Sequence, residues 1–205
     1  MTRRIGLFGG TFDPVHNAHV ALAHAALQSL RLDAVWWLPS GAPWQKVVPG
    51  ARPITPAAHR EAMVREAIAG VPGFVLERHE LEQPGPHATL QTLRALQARE
   101  ADGHDAEWVL LIGGDQYANL HTWRGWPELL QAVTLAVAAR PGVAARVDPQ
   151  VLAHPHRVVP LPPMDLSATD IRRRIAAGEP WAHLVPAGVA RYIDQQALYR
   201  ADPGS

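Results

Sequence analysis

The chain has 205 residues, 47% hydrophobic and 19% charged, which is apolar material enough for the core of one domain and too much for a disordered chain. Lys and Arg number 19 and Asp and Glu number 19, so there is no broad basic field for a nucleic-acid duplex and no acidic tail. Cysteine is absent, which excludes disulfides, zinc–thiolate sites and thiol nucleophiles and fits a reducing, cytoplasmic setting.

In chain order, Met1 to Arg4 lack the long apolar stretch of a signal peptide, and no run approaches the roughly 20 apolar residues that span a membrane, so no membrane partner is expected. Ile5 to Phe8 reads as a buried strand that stops at Gly9-Gly10. An Ala- and Leu-rich helix is predicted over His16 to Leu30, and a second strand over Ala34 to Leu38, closed by Pro39. Ser40 to Pro53, rich in proline and glycine, reads as a long loop, and long loops in compact domains are often functional. Thr55-Pro56 predicts a helix start, with a capping hydroxyl and proline at the first helical position, running to about Gly70. Phe74 to Leu76 is a third strand, Thr89 to about Arg99 a helix, and Trp108 to Ile112 an apolar strand ending at Gly113-Gly114-Asp115. Further strands are predicted at Val133 to Ala139 and Arg157 to Leu161, with helices from Ser167 to about Ala177 and from Pro186 to near Gln196.

This alternation predicts an α/β fold with a doubly wound parallel sheet and right-handed crossovers, whose ligands sit beyond the carboxyl ends of the strands. The chain reads as a single domain, 1–205, with residues 163–200 as a short C-terminal helical segment.

Two short stretches carry chemistry. Gly9 and Gly10 follow the first strand and let a bulky anion approach the backbone, next to a helix that turns its N–H groups and positive dipole end the same way. They form neither a GxGxxG nor a P-loop pattern. His16 and His19, three apart at a helix start, share one face and could donate to phosphate oxygens as charge builds on phosphorus. A capping or surface role remains open for them. A metal is not expected, because no third ligand is evident and the Glu of HExxH is missing. Downstream, Ser167 predicts an N-cap and Asp170 a capping-box acid, which by themselves would suit any well-capped amphipathic helix.

The run Gly9-Gly10-Thr11-Phe12-Asp13-Pro14-Val15-His16-Asn17-Ala18-His19 resembles the signature of the HxGH nucleotidyltransferase superfamily, with Ala18 where relatives carry glycine. Leu166-Ser167-Ala168-Thr169-Asp170-Ile171-Arg172 is similar to the superfamily's second motif, Ile-Ser-x-Thr-x-x-Arg, with Leu166 for Ile. Thr89-Leu90-Gln91-Thr92-Leu93, Ile112 to Asp115, Thr122-Trp123 with Trp126, Arg140-Pro141-Gly142 and the ending Tyr192 to Tyr199 resemble the bacterial nicotinate mononucleotide adenylyltransferases.

The resemblance implies a Rossmann-like nucleotidyltransferase fold and transfer of an adenylyl group from ATP to nicotinate mononucleotide. The products would be nicotinate adenine dinucleotide and pyrophosphate, in NAD biosynthesis, with Mg2+ accompanying ATP as co-substrate. Carried over residue by residue, His16, His19 and Arg172 are the catalytic set. Gly9, Gly10, Thr11, Phe12, His16, His19, Gly113, Asp115, Ser167, Thr169 and Arg172 bind ATP. Thr11, Lys46, Thr89, Asp115, Trp123 and Arg140 contact the pyridine nucleotide. Several of these have a plainer reading beside the functional one: Trp123 as packing rather than a stacking surface for the pyridine, Asp115 and Thr89 as helix caps, Lys46 as an exposed lysine. Arg173 and Arg174 point elsewhere around their helix and are expected to be solvated or paired. Pantetheine-phosphate adenylyltransferase is the alternative within the superfamily; a catalytically silent nucleotide-binding regulator and an RNA-binding module are rivals outside it. The sequence carries no signal for oligomeric state.

Overall fold

The computed structural model describes residues 2–41, 53–83, 85, 87–100, 106–138 and 147–201. Six strands, β1 (Arg3–Gly10), β2 (Ala34–Pro39), β3 (Phe74–Leu76), β4 (Ala106–Gly113), β5 (Thr134–Ala138) and β6 (His156–Val158), form one sheet in the order β3-β2-β1-β4-β5-β6. Every pairing is parallel. The helices are α1 (Asn17–Ser29), α2 (Ala57–Ile68), α3 (His79–Glu82), α4 (Thr89–Glu100), α5 (Gly114–Ala118), α6 (Trp126–Ala132), α7 (Pro149–Leu152), α8 (Ala168–Ala177) and α9 (Ala187–Gln195).

The central strands are apolar without interruption because both faces are covered. Side chains alternate: Trp108, Leu110 and Ile112 enter one core with α4 and α6, while Val109 and Leu111 enter the other with α1, α2, α8 and α9. The C-terminal helices belong to that second core, where Ile171, Ile175, Val189, Ile193 and Tyr199 join Phe8 and Trp37.

Strand order reverses direction between β1 and β4, so chain leaving these two neighbours turns opposite ways and opens a crevice beyond their carboxyl ends. The α/β, doubly wound, parallel expectation is met. Local differences have local causes. The cap position of α2 is Pro56 rather than Thr55, which is instead buried. The last strand pairs over His156–Val158, earlier than expected from the apolar run, with Val159 adding a bond from its N–H to the Val137 carbonyl (2.9 Å). The short helices α3, α5, α6 and α7 were not legible, since four to seven residues scarcely establish a 3.6-residue period.

Candidate active site

A cleft of about 980 Å³ lies at the crevice. It gathers Gly9, Gly10, Thr11, Phe12, His16 and His19 from the first motif and Ser167, Thr169 and Arg172 from the second. Thr89, Gly113, Asp115 and Trp123 line it as well. Lys46 and Arg140 fall outside the described residues, as does most of the Ser40 to Pro53 loop.

The turn after β1 is built tightly. A Cβ at Gly9 or Gly113 would meet nothing within 4 Å, so the ends of the two neighbouring strands leave open space for a ligand. Gly10 has a further reason to be glycine: a Cβ there would sit 2.9 Å from the Phe12 ring. Phe12 adopts φ 51, a left-handed conformation that costs a bulky residue roughly 1–3 kcal/mol and persists only where the surroundings over-determine it. They do so here by packing the ring against Phe8, Trp37 and His19, with centroids 5.5, 5.4 and 5.2 Å away.

His16 occupies the cap position of α1 in extended conformation, and its N–H donates to Nδ1 of His19 at 3.1 Å. The two rings stack at 3.6 Å, 20° from parallel. A His19 Nδ1 that accepts carries no proton, so the ring's own proton is assigned to Nε2, making that nitrogen a donor. His16 is buried, and desolvation pulls its pKa down to about 4, so that ring is neutral at physiological pH. Ala18, in the first turn of α1, also lines the cleft.

At the start of α8, Ser167 Oγ accepts from the Asp170 N–H (3.1 Å), which bears out the cap. Asp170 does not complete a capping box. Its carboxylate turns to Arg173 (2.9 Å) and Arg174 (2.7 Å), two stronger partners, which pairs both arginines as expected. Arg172 donates to the Asp13 carbonyl (2.6 Å) and to Thr169 Oγ1 (3.3 Å), so the second motif grips the first.

Beneath the turn lies a network that sequence reasoning missed. Arg60, 1% exposed, donates to the carbonyls of Thr55 (2.9 Å), Thr11 (3.0 Å) and Gly41 (3.0 Å). Asp13 accepts from the Thr55 N–H (3.3 Å) and the Tyr199 hydroxyl (2.7 Å). Burial lowers the Arg60 pKa, and the neighbouring Asp13 carboxylate, with a smaller contribution from Tyr199, opposes that shift. One signal was available: Arg60 shares a helix face with Met63, Val64 and Ala67, all buried, and an arginine on an apolar face needs an internal partner.

The opposite part of the cleft is looser. Thr89 is the first residue of α4 and not its cap: the Ala88 carbonyl accepts from the N–H groups of Gln91 (2.8 Å) and Thr92 (3.1 Å). Thr92, unremarked as a site residue, is buried and donates to Glu80 (2.9 Å), which also lines the cleft and whose carboxyl burial pushes up against that bond. Asp115 is exposed in the first turn of α5, whose cap position is Gly113, and its carboxylate makes no hydrogen bond with the described residues. Trp123 is half-buried, packed against the core on one side and lining the cleft. Among the described residues no group of three or more His, Cys, Asp or Glu could hold a metal ion.

A parallel sheet of this order, with a glycine-lined cleft at its switch point and two helix N-termini beside it, defines a nucleotide-binding protein of the doubly wound α/β class. The profile of the Cytidylyltransferase-like family matches residues 7–174. A Methylibium petroleiphilum protein named "Probable nicotinate-nucleotide adenylyltransferase" is 46% identical over 208 residues, 98% of this chain and 95% of its own length. A Bordetella petrii protein of the same name is 48% identical over 204 residues, 97% of this chain and 100% of its own. The chain belongs to the Cytidylyltransferase-like family and, within it, to the nicotinate-nucleotide adenylyltransferases. The fold is shared by the Plasmodium falciparum nicotinic acid mononucleotide adenylyltransferase complexed with NaAD, at TM-score 0.76 and 16% identity over 96% of this chain and 97% of that one.

Proposed function

We propose that the protein transfers the adenylyl group of ATP to nicotinate mononucleotide, giving nicotinate adenine dinucleotide and pyrophosphate in NAD biosynthesis. The observation that carries this is one cleft holding the stacked His16–His19 pair and Arg172 together with Trp123 and the start of α4. A phosphate oxygen of the mononucleotide attacks the α-phosphorus of ATP in line, one P–O bond forms, another breaks, and pyrophosphate leaves. The attacking oxygen is already ionised, so the chain has only to position the reactants and stabilise charge.

His19 presents its Nε2–H to the phosphates, and His16 fixes the ring that does so. Gly9, Gly10, Thr11 and Phe12 bring backbone close to the nucleotide, Ser167, Thr169 and Arg172 hold the pyrophosphate end, and Gly113 and Asp115 face the nucleoside. Thr11, Lys46, Thr89, Asp115, Trp123 and Arg140 contact the mononucleotide, with Trp123 stacking on the pyridine. The donors at the phosphate end are imidazoles, a guanidinium and hydroxyls rather than a carboxylate cage. That set would suit a magnesium ion brought in on the phosphates of ATP, where it would neutralise part of their charge. The same proposal takes residues 1–205 as one domain, with residues 163–200 as its C-terminal helical segment, acting in the cytoplasm.

The test is incubation with ATP, Mg2+ and a panel of nicotinate mononucleotide, nicotinamide mononucleotide and pantetheine phosphate, with products read by mass. We expect nicotinate mononucleotide to be preferred over its amide by at least about tenfold in kcat/KM. The N-terminus of α4 at Thr89 favours an anion, and an amide facing backbone donors leaves a group unpaired at a cost of about 1–3 kcal/mol. Equal efficiency with the amide would reject the acid assignment and leave adenylyl transfer standing; pantetheine phosphate as the better acceptor would reject both nucleotides.

A further inference from the structure

The buried network under the turn does more than fill the core. Three carbonyls from three separate segments converge on the Arg60 guanidinium, and one of them, that of Thr11, belongs to the turn that lines the cleft. The only cis peptide among the described residues is Asp13-Pro14, so the Thr11–Phe12 peptide is trans, and its N–H points opposite to its carbonyl. Because the carbonyl is drawn to Arg60, the Phe12 N–H is directed away from the buried cation. It makes no hydrogen bond with any described residue, although Phe12 is 2% exposed and borders the cleft. A buried N–H of that kind wants a partner.

Asp13, next along the turn, is held by groups from far away in sequence: the Thr55 N–H before α2 and the Tyr199 hydroxyl beyond α9. Tyr199 is 7% exposed and has φ 65, so the chain after α9 turns back to bring this hydroxyl inside. Arg172 takes the carbonyl of the same Asp13 from the cleft side. The turn is thus gripped at three consecutive residues: Thr11 by a buried charge, Phe12 by its packed ring, Asp13 by two side-chain bonds and Arg172.

We infer that Arg60, Asp13 and Tyr199 form a positioning unit that aims the Phe12 N–H at a phosphate of ATP and ties the C-terminal segment to the phosphate-binding turn. This rests on the ATP-dependent reaction proposed above. Arg60 and Tyr199 do not line the cleft, and Asp13 borders it; the unit acts through the backbone of Thr11 and Phe12.

The experiment compares full-length wild type with Tyr199→Phe, Arg60→Lys and Arg60→Met, using steady-state kinetics for both substrates, binding of an α,β-methylene ATP analogue, and thermal melting. An aimed donor is worth about 10²-fold in turnover. Arg60→Met is therefore expected to lose roughly that much kcat. Arg60→Lys should not rescue it, because an ammonium cannot hold three carbonyls in a planar fork. Tyr199→Phe removes one hydroxyl from an otherwise unchanged core; it is expected to fold with a modestly lowered melting temperature, to lose about tenfold in kcat and in affinity for the analogue, and to keep its KM for nicotinate mononucleotide within about twofold. Should Arg60→Met fail to fold, Tyr199→Phe decides. Variants with lowered melting temperature but wild-type kcat and analogue affinity would overturn the inference and make the network a plain core plug. Wild type that neither binds the analogue nor turns over ATP would overturn the proposed reaction and this inference with it.

Discussion

The two ends of the cleft are built on different physical plans. At the end proposed to hold the phosphates the turn after β1 sits on a buried cation, the Phe12 ring is wedged among aromatics, and His16 and His19 fix each other. At the pyridine end, Trp123 is half-buried, Asp115 is exposed without a side-chain partner among the described residues, and Thr89 merely begins a helix. The difference follows from what the proposed reaction asks of each end. Charge that develops in a transition state is stabilised only by donors that need not reorganise at that moment, so those donors are locked in advance. A flat ring is recognised by area and stacking, which tolerate looser walls.

If the contrast holds, substitutions at the phosphate end cost turnover and those at the pyridine end cost affinity. The largest effect is expected for His19→Ala: a fall in kcat of about 10²-fold or more, with circular dichroism and melting temperature near wild type. Near-normal turnover, or an unfolded protein, would break the comparison at its strongest point.

Next comes the acid dependence of stability. The folded protein keeps His16 neutral down to about pH 4, whereas the unfolded chain protonates it near its ordinary value of 6.5. The stability linked to this group is complete above pH 6.5 and is lost as pH falls toward about 4, a change on the order of 3 kcal/mol. Urea unfolding across that window, for wild type minus His16→Asn, should show a difference that shrinks as the solution is acidified; a constant difference would mean that His16 is freely protonated in the folded state.

Arg172→Ala removes a charge-assisted donor worth about 1.5–3 kcal/mol, and with it the clamp on the Asp13 carbonyl. The stabilising thermal shift given by ATP should therefore be smaller in the variant, while the shift given by the mononucleotide persists. An unchanged ATP shift would confine Arg172 to holding the turn. The smallest effect is expected at the looser end. Trp123→Ala should raise KM for the pyridine nucleotide roughly tenfold, with little change for ATP or kcat. Equal rises in both KM values would make Trp123 a packing residue and remove the contrast.

The sequence by itself determined the alternation of strands and helices, the parallel sheet buried on both faces, and the two motifs, because hydrophobic period, glycine punctuation and capping hydroxyls are local. Ser167 could be read as a cap for that reason, and His16 with His19 as a pair on one helix face. Side-chain choices among competing partners were not legible: Asp170 took two arginines over the backbone of its own cap, and Gly113 and Ala88, not Asp115 and Thr89, hold the cap positions of their helices. Only the tertiary structure decided that Arg60, Asp13 and Tyr199 meet. The Asp13 carboxylate and the Tyr199 hydroxyl come from opposite ends of the chain, and no periodicity spans that distance. They meet because burying α2 and α9 on the same face of the sheet removes water from the three polar groups at once, leaving them to satisfy one another and the turn above them.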